Sequence, residues 1–455
     1  MMDDFDFVII GAGAAGEAAA FEARRLGASV AIVDRELFGG SCPFWACLPS
    51  KALLHAAGIH SLGGDYPWRR ASQFRDYITS REDRETSDDS GHVKRLQDAG
   101  ATVFRGIARV VAPSQVEVSG TDGATRQLTY RDLVVAVGTH STIPDLPGLS
   151  AITPWTNRQA TSLRELPRSM VVVGGGPTGV ELAQALARYG VPISLVHPED
   201  HLNHRDLPRN SEVLADALRR DGVELHLRTR VDRIEARAGA DGAHRLHLED
   251  GSSIEGHEVL FSIGRTSPLP GLGLESVGVT LDRGRVSPDD SLRLAYHVYV
   301  AGDPAGPEMH THLAHYQGEI AVRIALGQKV RPDYRAIPRA VYTDPEVAGV
   351  GLRPDQAKEA GLDVLEKTAD IATSAKGYVT EAYGHATIFV DRASCTLVGA
   401  FVAGPGASEA IHMAVLAIKT RTPIEVLADT ITAFPTTARV LGGLFVEAAH
   451  ELARS

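Results

Sequence analysis

Two of the chain's three cysteines sit in the stretch Gly39-Gly40-Ser41-Cys42-Pro43-Phe44-Trp45-Ala46-Cys47-Leu48-Pro49-Ser50-Lys51. Proline is well tolerated at the first helical position, so Pro43 predicts a helix start beside Cys42. The partial positive charge there favours a thiolate at Cys42. A regular helix holds residues i and i+5 farther apart than the Cα separation of roughly 4.4–6.8 Å that a disulfide needs. A redox pair therefore predicts a distorted turn. Pro49 favours one, because it has no N–H for the carbonyl of Trp45 and its ring crowds that carbonyl. The pair alone leaves other readings open. Buried cysteines often only pack, and Cys42, Cys47, His55 and His60 could ligate zinc.

The chain around this stretch has 455 residues, 44% of them hydrophobic and 23% charged, as in an ordinary globular protein of two to four domains. A net charge of −11 argues against nucleic acid as a main partner. No apolar run is long enough to span a bilayer, and the acidic start Met1-Met2-Asp3-Asp4 is unlike a signal peptide. Three cysteines are too few for a secreted disulfide scaffold. The expected location is the cytoplasm, with no membrane partner.

The elements that position the pair begin with Phe5–Ile10, an apolar run that reads as a buried strand. Gly11-Ala12-Gly13-Ala14-Ala15-Gly16 follows, then an alanine-rich helix to Leu26, Gly27 as its cap, and a strand from Ser29 that ends on Asp34, before Arg35. This is a dinucleotide fingerprint in its proper context. Gly11 makes the tight turn, Gly13 admits a pyrophosphate, Gly16 lets helix and strand close up, and Asp34 can accept from ribose hydroxyls. The pattern recurs as strand Ser169–Val173, Gly174-Gly175-Gly176-Pro177-Thr178-Gly179, a helix to Tyr189, and strand Ile193–Val196. The interval from the first glycine to the acid position is the same in both copies, so two nucleotides are expected. In the second copy His197 stands at the acid position. A carboxylate there repels a 2′-phosphate and an imidazole does not, which leans toward NADPH over NADH. His201, His204 and Arg205 follow, with Glu199 and Asp200 opposing them.

Between the copies lie Leu133 to Thr139, with Ala136, Gly138 and Thr139 at its end, and the turn Pro147-Gly148. Val259–Gly264, followed by Arg265, closes the second unit. Tyr299-Val300-Ala301-Gly302-Asp303 reads as a strand ending on a carboxylate, placed to bind a sugar-alcohol hydroxyl or to cap a helix. Cys395 stands apart and reads as an inert thiol.

Across nearly its whole length the chain resembles the flavoprotein disulfide reductases, the group of glutathione reductase, dihydrolipoamide dehydrogenase and mercuric reductase. The resemblance implies an α/β fold with two Rossmann-like nucleotide-binding domains, for FAD and NAD(P)H, and a C-terminal α+β dimerisation domain. The implied division is 1–149 and 267–333 for FAD, 150–266 for NAD(P)H, and 334–455 for the interface of a homodimer. Tyr342-Thr343-Asp344-Pro345-Glu346-Val347-Ala348 resembles the opening of the last. Cofactor contacts are then implied at Gly11, Gly13, Ala14, Ala15, Gly16, Asp34, Arg35, Gly40, Ser41, Lys51, Ala136, Gly138, Thr139, Gly302, Asp303, Leu313 and Ala314 for FAD. Those for the pyridine nucleotide are Gly174, Gly176, Thr178, Gly179, Glu181, His197, Gly264 and Arg265. The resemblance makes Cys42–Cys47 a redox disulfide, with Cys47 beside the flavin and Cys42 attacking the substrate. Lys51 and Glu181 match an ion pair near the flavin; otherwise they are a surface lysine and a helical glutamate.

The pattern breaks in Thr432-Ala433-Phe434-Pro435-Thr436-Thr437-Ala438-Arg439. Phe434 and Arg439 stand where the family's His–Glu acid/base dyad stands, and phenylalanine moves no proton. Mercuric reductases also lack that histidine, but they carry a C-terminal cysteine pair and an N-terminal metal-binding domain, neither expected here. 2-Ketopropyl coenzyme M oxidoreductase/carboxylase is similar in its Cys-Pro-x-x-Ala-Cys motif and in this phenylalanine. It differs at Pro49-Ser50-Lys51 and at Arg439. Three functions result: an NADPH-dependent reductase of a small disulfide or thiol adduct, a reductive C–S cleaving carboxylase, or a non-catalytic flavin-binding redox sensor.

Overall fold

The computed structural model describes residues 3–80 and 86–454. The chain divides into two compact units. One comprises residues 1–52, 69–142 and 264–332; the other comprises 53–68, 143–263 and 333–455.

The first unit is built on a seven-stranded sheet. β1 (Asp3–Ile10) lies between two parallel neighbours, β2 (Val30–Asp34) on one side and β5 (Thr125–Val135) on the other. β3 (Thr102–Ala112) extends the sheet beyond β2, and β4 (Gln115–Gly120) pairs antiparallel with both β3 and β5. Side chains alternate across a strand. Val8 and Ile10 therefore enter one buried cluster with Leu133 and Val135, while Phe7 and Ile9 enter another with Val30 and Ile32. Burial on both faces explains why β1 reads as an unbroken apolar run. α1 (Ala14–Arg25) covers the second face through Ala15, Ala19, Ala20 and Ala23. The helix Thr311–Ala325 packs on α1 so closely that a Cβ on Gly318 would lie 2.2 Å from the Ala15 carbonyl oxygen.

The second unit holds a four-stranded parallel sheet in the order Glu258–Phe261, Met170–Val173, Ile193–His197, Glu224–Leu227. It also holds a three-stranded antiparallel sheet (Val231–Glu235, His244–Leu248, Ser253–Gly256) and a five-stranded antiparallel sheet from the C-terminal segment. The helix Thr437–Leu452 seals the latter's core with Leu441, Leu444 and Phe445.

Three expected elements end two or three residues before the sequence pattern does. The strand expected at Tyr299–Asp303 covers Val298–Val300, so Asp303 opens a 3-10 turn instead of ending the strand. The strand expected at Val259–Gly264 stops at Phe261, and the helix expected to reach Tyr189 stops at Ala187. In each case a glycine with positive φ lies just beyond: Gly302 (φ 81°), Gly264 (φ 135°) and Gly190 (φ 84°).

Candidate active site

The chain reaches Cys42 through two glycines in backbone conformations that side chains avoid, Gly39 (φ 102°) and Gly40 (φ 70°). A Cβ on Gly40 would lie 2.6 Å from the Cα of Gly13, so the cysteine stretch rests directly on the first glycine motif. α2 (Ser41–Trp45) carries Cys42; Ala46 then leaves helical geometry (φ −130°, ψ −95°), and α3 (Cys47–Ser61) restarts at Cys47. Pro49 lies in the first turn of α3, where the Ser50 N–H bonds the Ala46 carbonyl at 3.1 Å. The expected distortion is this break at Ala46.

The break brings Cys42 and Cys47 into hydrogen-bonding contact as two thiols. The Thr311 hydroxyl lies 3.3 Å from Cys47 Sγ and also reaches Cys42. The expected ease of forming a Cys42 thiolate is corrected here. Hydrogen bonding and charge coupling with Cys47, together with burial, hold the Cys42 thiol well above the ordinary range, and Thr311 opposes them. α2 is only five residues long, too short for a helix end to outweigh the neighbouring sulfur. Among the described residues no group of three His, Cys, Asp or Glu side chains is placed to hold a metal ion.

The first glycine motif fits an FAD. A Cβ on Gly16 would lie 1.8 Å from the Gly11 carbonyl oxygen, and one on Gly11 would lie 2.3 Å from that of Ala136. Gly13 faces no atom nearer than Gly40 Cα, at 3.8 Å, which leaves a cradle beside the N-terminus of α1, at Ala14 and Ala15. Asp34 accepts the Ala12 N–H at 2.7 Å and the Glu36 N–H at 2.8 Å, and each oxygen keeps a lone pair for a ribose hydroxyl. Burial pushes its carboxyl up. Arg35 and Ser41 are exposed, Gly138 turns with φ 61°, and Lys51 Nζ reaches Ser50 Oγ at 3.4 Å. Asp303 is held by the Thr139 hydroxyl and by Arg265 at 3.1 Å, and Arg265 also donates to the Met309 carbonyl at 2.6 Å. Gln317 accepts the Gly302 N–H at 3.0 Å, while Leu313 and Ala314 are buried in the first turn of Thr311–Ala325. Thr311 and Gln317 are the residues that motif reading did not single out.

The second glycine motif has the same construction. Gly174 (φ 114°) accepts no side chain, because a Cβ would lie 2.4 Å from the Ser262 carbonyl oxygen. A Cβ on Gly179 would lie 2.0 Å from the Gly174 carbonyl oxygen, whereas Gly176 faces open space beside Thr178 at the start of helix Pro177–Ala187. The Gly175 N–H donates to His197 Nδ1 at 3.1 Å. Glu181 is buried in that helix and accepts the Tyr342 N–H at 3.0 Å. In the C-terminal segment Phe434 is 74% exposed. It lines a cavity of about 220 Å³ together with Arg439, Lys376 and Glu447.

Residues 5–318 match the family described as pyridine nucleotide-disulphide oxidoreductase, and residues 337–444 match that family's dimerisation domain. The chain is 31% identical to a dihydrolipoyl dehydrogenase of Chlorobaculum tepidum over 95% of this chain and 94% of the relative. It is 29% identical to a mercuric reductase of Bacillus cereus over 96% of this chain and 70% of the relative. Among solved structures, LpdA from Mycobacterium tuberculosis superposes with a TM-score of 0.86 at 27% identity, covering 98% of this chain and 99% of its own. The Cu(II) complex of the HOCl-induced flavoprotein disulfide reductase RclA from Escherichia coli shares the fold, with a TM-score of 0.88 at 24% identity over 98% of this chain and 100% of its own. With its nucleotide-binding fold, paired cysteines and dimerisation domain, the chain belongs to the pyridine nucleotide-disulphide oxidoreductase family, as a flavin- and pyridine-nucleotide-dependent oxidoreductase acting on sulfur groups.

Proposed function

We propose that the protein is an NADPH-dependent reductase of a small disulfide or thiol adduct, working in the cytoplasm through a Cys42–Cys47 redox pair without a histidine acid/base. The observation that supports this reading best is the break at Ala46, which sets both sulfurs against each other and against Thr311. The division proposed for the working parts is 1–149 with 267–333 for FAD, 150–266 for the pyridine nucleotide, and 334–455 for the dimer interface.

Asp34 would hold the adenosine ribose of FAD and Asp303 its ribityl chain, with Gly13 admitting the pyrophosphate between them. FAD, when bound, supplies the relay of an electron pair from the reduced nicotinamide to the disulfide. Lys51 would favour negative charge on the bound flavin, and Cys47 would be the sulfur of the pair on the flavin side. Cys42 does the exchange. Its thiolate bonds to one sulfur of the substrate disulfide, whose S–S bond breaks; the released thiolate takes a proton from water. Cys47 then attacks Cys42, the mixed disulfide breaks, a second thiol leaves, and the Cys42–Cys47 bond re-forms. The substrate gains the electron pair that the dithiol loses.

Phe434 stands where a histidine would shuttle these protons, and general acid–base help of that kind is typically worth about 10²–10⁴-fold. Exchange therefore depends on the thiolate fraction of Cys42, which its coupling to Cys47 and its burial keep small. Steady NADPH oxidation with a panel of small disulfides tests the reading. Turnover that Cys42→Ser abolishes, with the flavin still reducible by NADPH, is expected. Turnover that survives Cys42→Ser contradicts it.

A further inference from the structure

Resting on the reading of the first glycine motif as the FAD site, we propose that His92 is a positioning residue for cofactor binding. It holds the Glu17 carboxylate away from the N–H groups at the start of α1 and so leaves them to the FAD diphosphate. Glu17 lies in the first turn of α1, where its own N–H bonds the Gly13 carbonyl at 2.9 Å. The start of a helix attracts anions, because its first N–H groups have no partner inside the helix. An acid in the first turn and a diphosphate are therefore rivals for the same end of α1. Among the described residues no side chain caps that end. The Glu17 carboxylate instead meets His92, with Oε1 2.8 Å from Nδ1.

The His92 ring is fixed by its surroundings. Its helix, Ser90–Asp98, starts after Asp89, whose carboxylate takes the Phe38 N–H at 2.8 Å and pairs with Arg105 at 2.6 Å. The ring lies against Gly39, where a Cβ would be 2.6 Å from His92 Cε1. It also meets the Phe44 ring edge-on, with centroids 5.7 Å apart. His92 thus touches the cysteine segment with its carbon frame and α1 with a nitrogen. The Arg95 guanidinium lies 2.9 Å from that same nitrogen. A guanidinium only donates and needs a bare Nδ1; a carboxylate only accepts and needs the proton there. Arg95 is exposed, so water can replace its bond, whereas the Glu17 side chain is 14% exposed. The Glu17 pairing therefore keeps the proton on Nδ1.

The arrangement has a consequence that packing alone lacks. Without the Nδ1 donor the carboxylate is free to turn toward the start of α1, where its charge opposes the diphosphate. Removing the charge of Glu17 as well then repairs the loss. Were His92 only a ring filling space beside Gly39, no change at Glu17 would repair anything.

Release of FAD from the loaded dimer, followed by the rise in flavin fluorescence after dilution, tests the assignment without turnover. His92→Phe keeps a ring against Gly39 and Phe44 but removes the donor, and is expected to release FAD about tenfold faster than wild type. Glu17→Gln releases FAD no faster than wild type. The double variant, His92→Phe with Glu17→Gln, returns to within about threefold of wild type. His92→Gln and His92→Leu repeat the comparison without an aromatic ring: the glutamine amide can donate to Glu17, so only the leucine variant speeds release. If the double variant releases FAD as fast as His92→Phe, if Glu17→Gln alone speeds release, or if the glutamine and leucine variants release alike, the assignment falls while the FAD site stands. If purified wild type binds no flavin, the reading of the first motif falls with it.

Discussion

Replacing Thr311 by valine removes one hydroxyl next to the sulfur pair and little else. The hydroxyl lies 3.3 Å from Cys47 Sγ and favours the ionised form of Cys42. A hydrogen bond to a charged group is worth about 1.5–3 kcal/mol, and one pKa unit corresponds to about 1.4 kcal/mol. Thr311 is exposed and Cys47 half-buried, so solvent replaces part of the lost bond and the low end applies. Thr311→Val is therefore expected to raise the apparent pKa of the reduced pair by about one unit. Below that pKa the thiolate fraction, and with it the rate of disulfide exchange, falls about tenfold. The assay is a pH titration of the long-wavelength thiolate-to-flavin absorption in the reduced enzyme. The expected result is a midpoint displaced toward alkaline pH, with Thr311→Ser restoring the wild-type curve. An unmoved midpoint would refute the role given to the hydroxyl.

Gly40→Ala places a Cβ 2.6 Å from Gly13 Cα at a residue with φ 70°; FAD retention after gel filtration should drop at least about tenfold, and unchanged retention contradicts the packing described. Phe434→His should raise NADPH-driven disulfide reduction by about 10²-fold or more and flatten its rise with pH. If that variant instead leaves reduction unchanged and abolishes a carbon dioxide-dependent reaction, the carboxylase reading replaces the reductase. Glu22, 5% exposed and held by Arg25 and Arg323, has its carboxyl lowered to about 2. A lowered folded-state pKa means stability that is present above the unfolded value near 4.5 and lost as pH falls toward 2. Arg25 is largely exposed, so solvent screening leaves a contribution of about 1 kcal/mol. Glu22→Gln should remove that share of the acid sensitivity in urea melts between pH 5 and 3, and an identical pH slope would contradict it.

The glycine motifs were legible in the sequence because part of their logic is local. Gly16 and Gly179 are needed where the chain touches itself five residues back, whereas Gly11 and Gly174 meet strand ends far along the chain, at Ala136 and Ser262, and were found because they open the same spacing. The distorted turn after Cys42 was legible for the same reason, since two prolines and a five-residue spacing act within one segment. The Cys42 thiol was not, because a five-residue helix contributes less than the adjacent Cys47 sulfur and burial. Thr311 carries no motif and lies 264 residues from the cysteine it touches, so only the folded chain reveals it. His197 was found by position, but its tautomer depends on a backbone N–H that no side-chain pattern encodes. Asp303 was found as a carboxylate after a strand; its grip by Thr139 and Arg265 required the tertiary fold.

Anaerobic titration of the oxidised protein with NADPH, followed by thiol counting in denaturant, tests the redox pair most directly. Uptake of about four electrons per subunit, with two thiols appearing beyond the Cys395 of the oxidised form, is the predicted result. Reduction that stops at about two electrons with no new thiols would contradict the account.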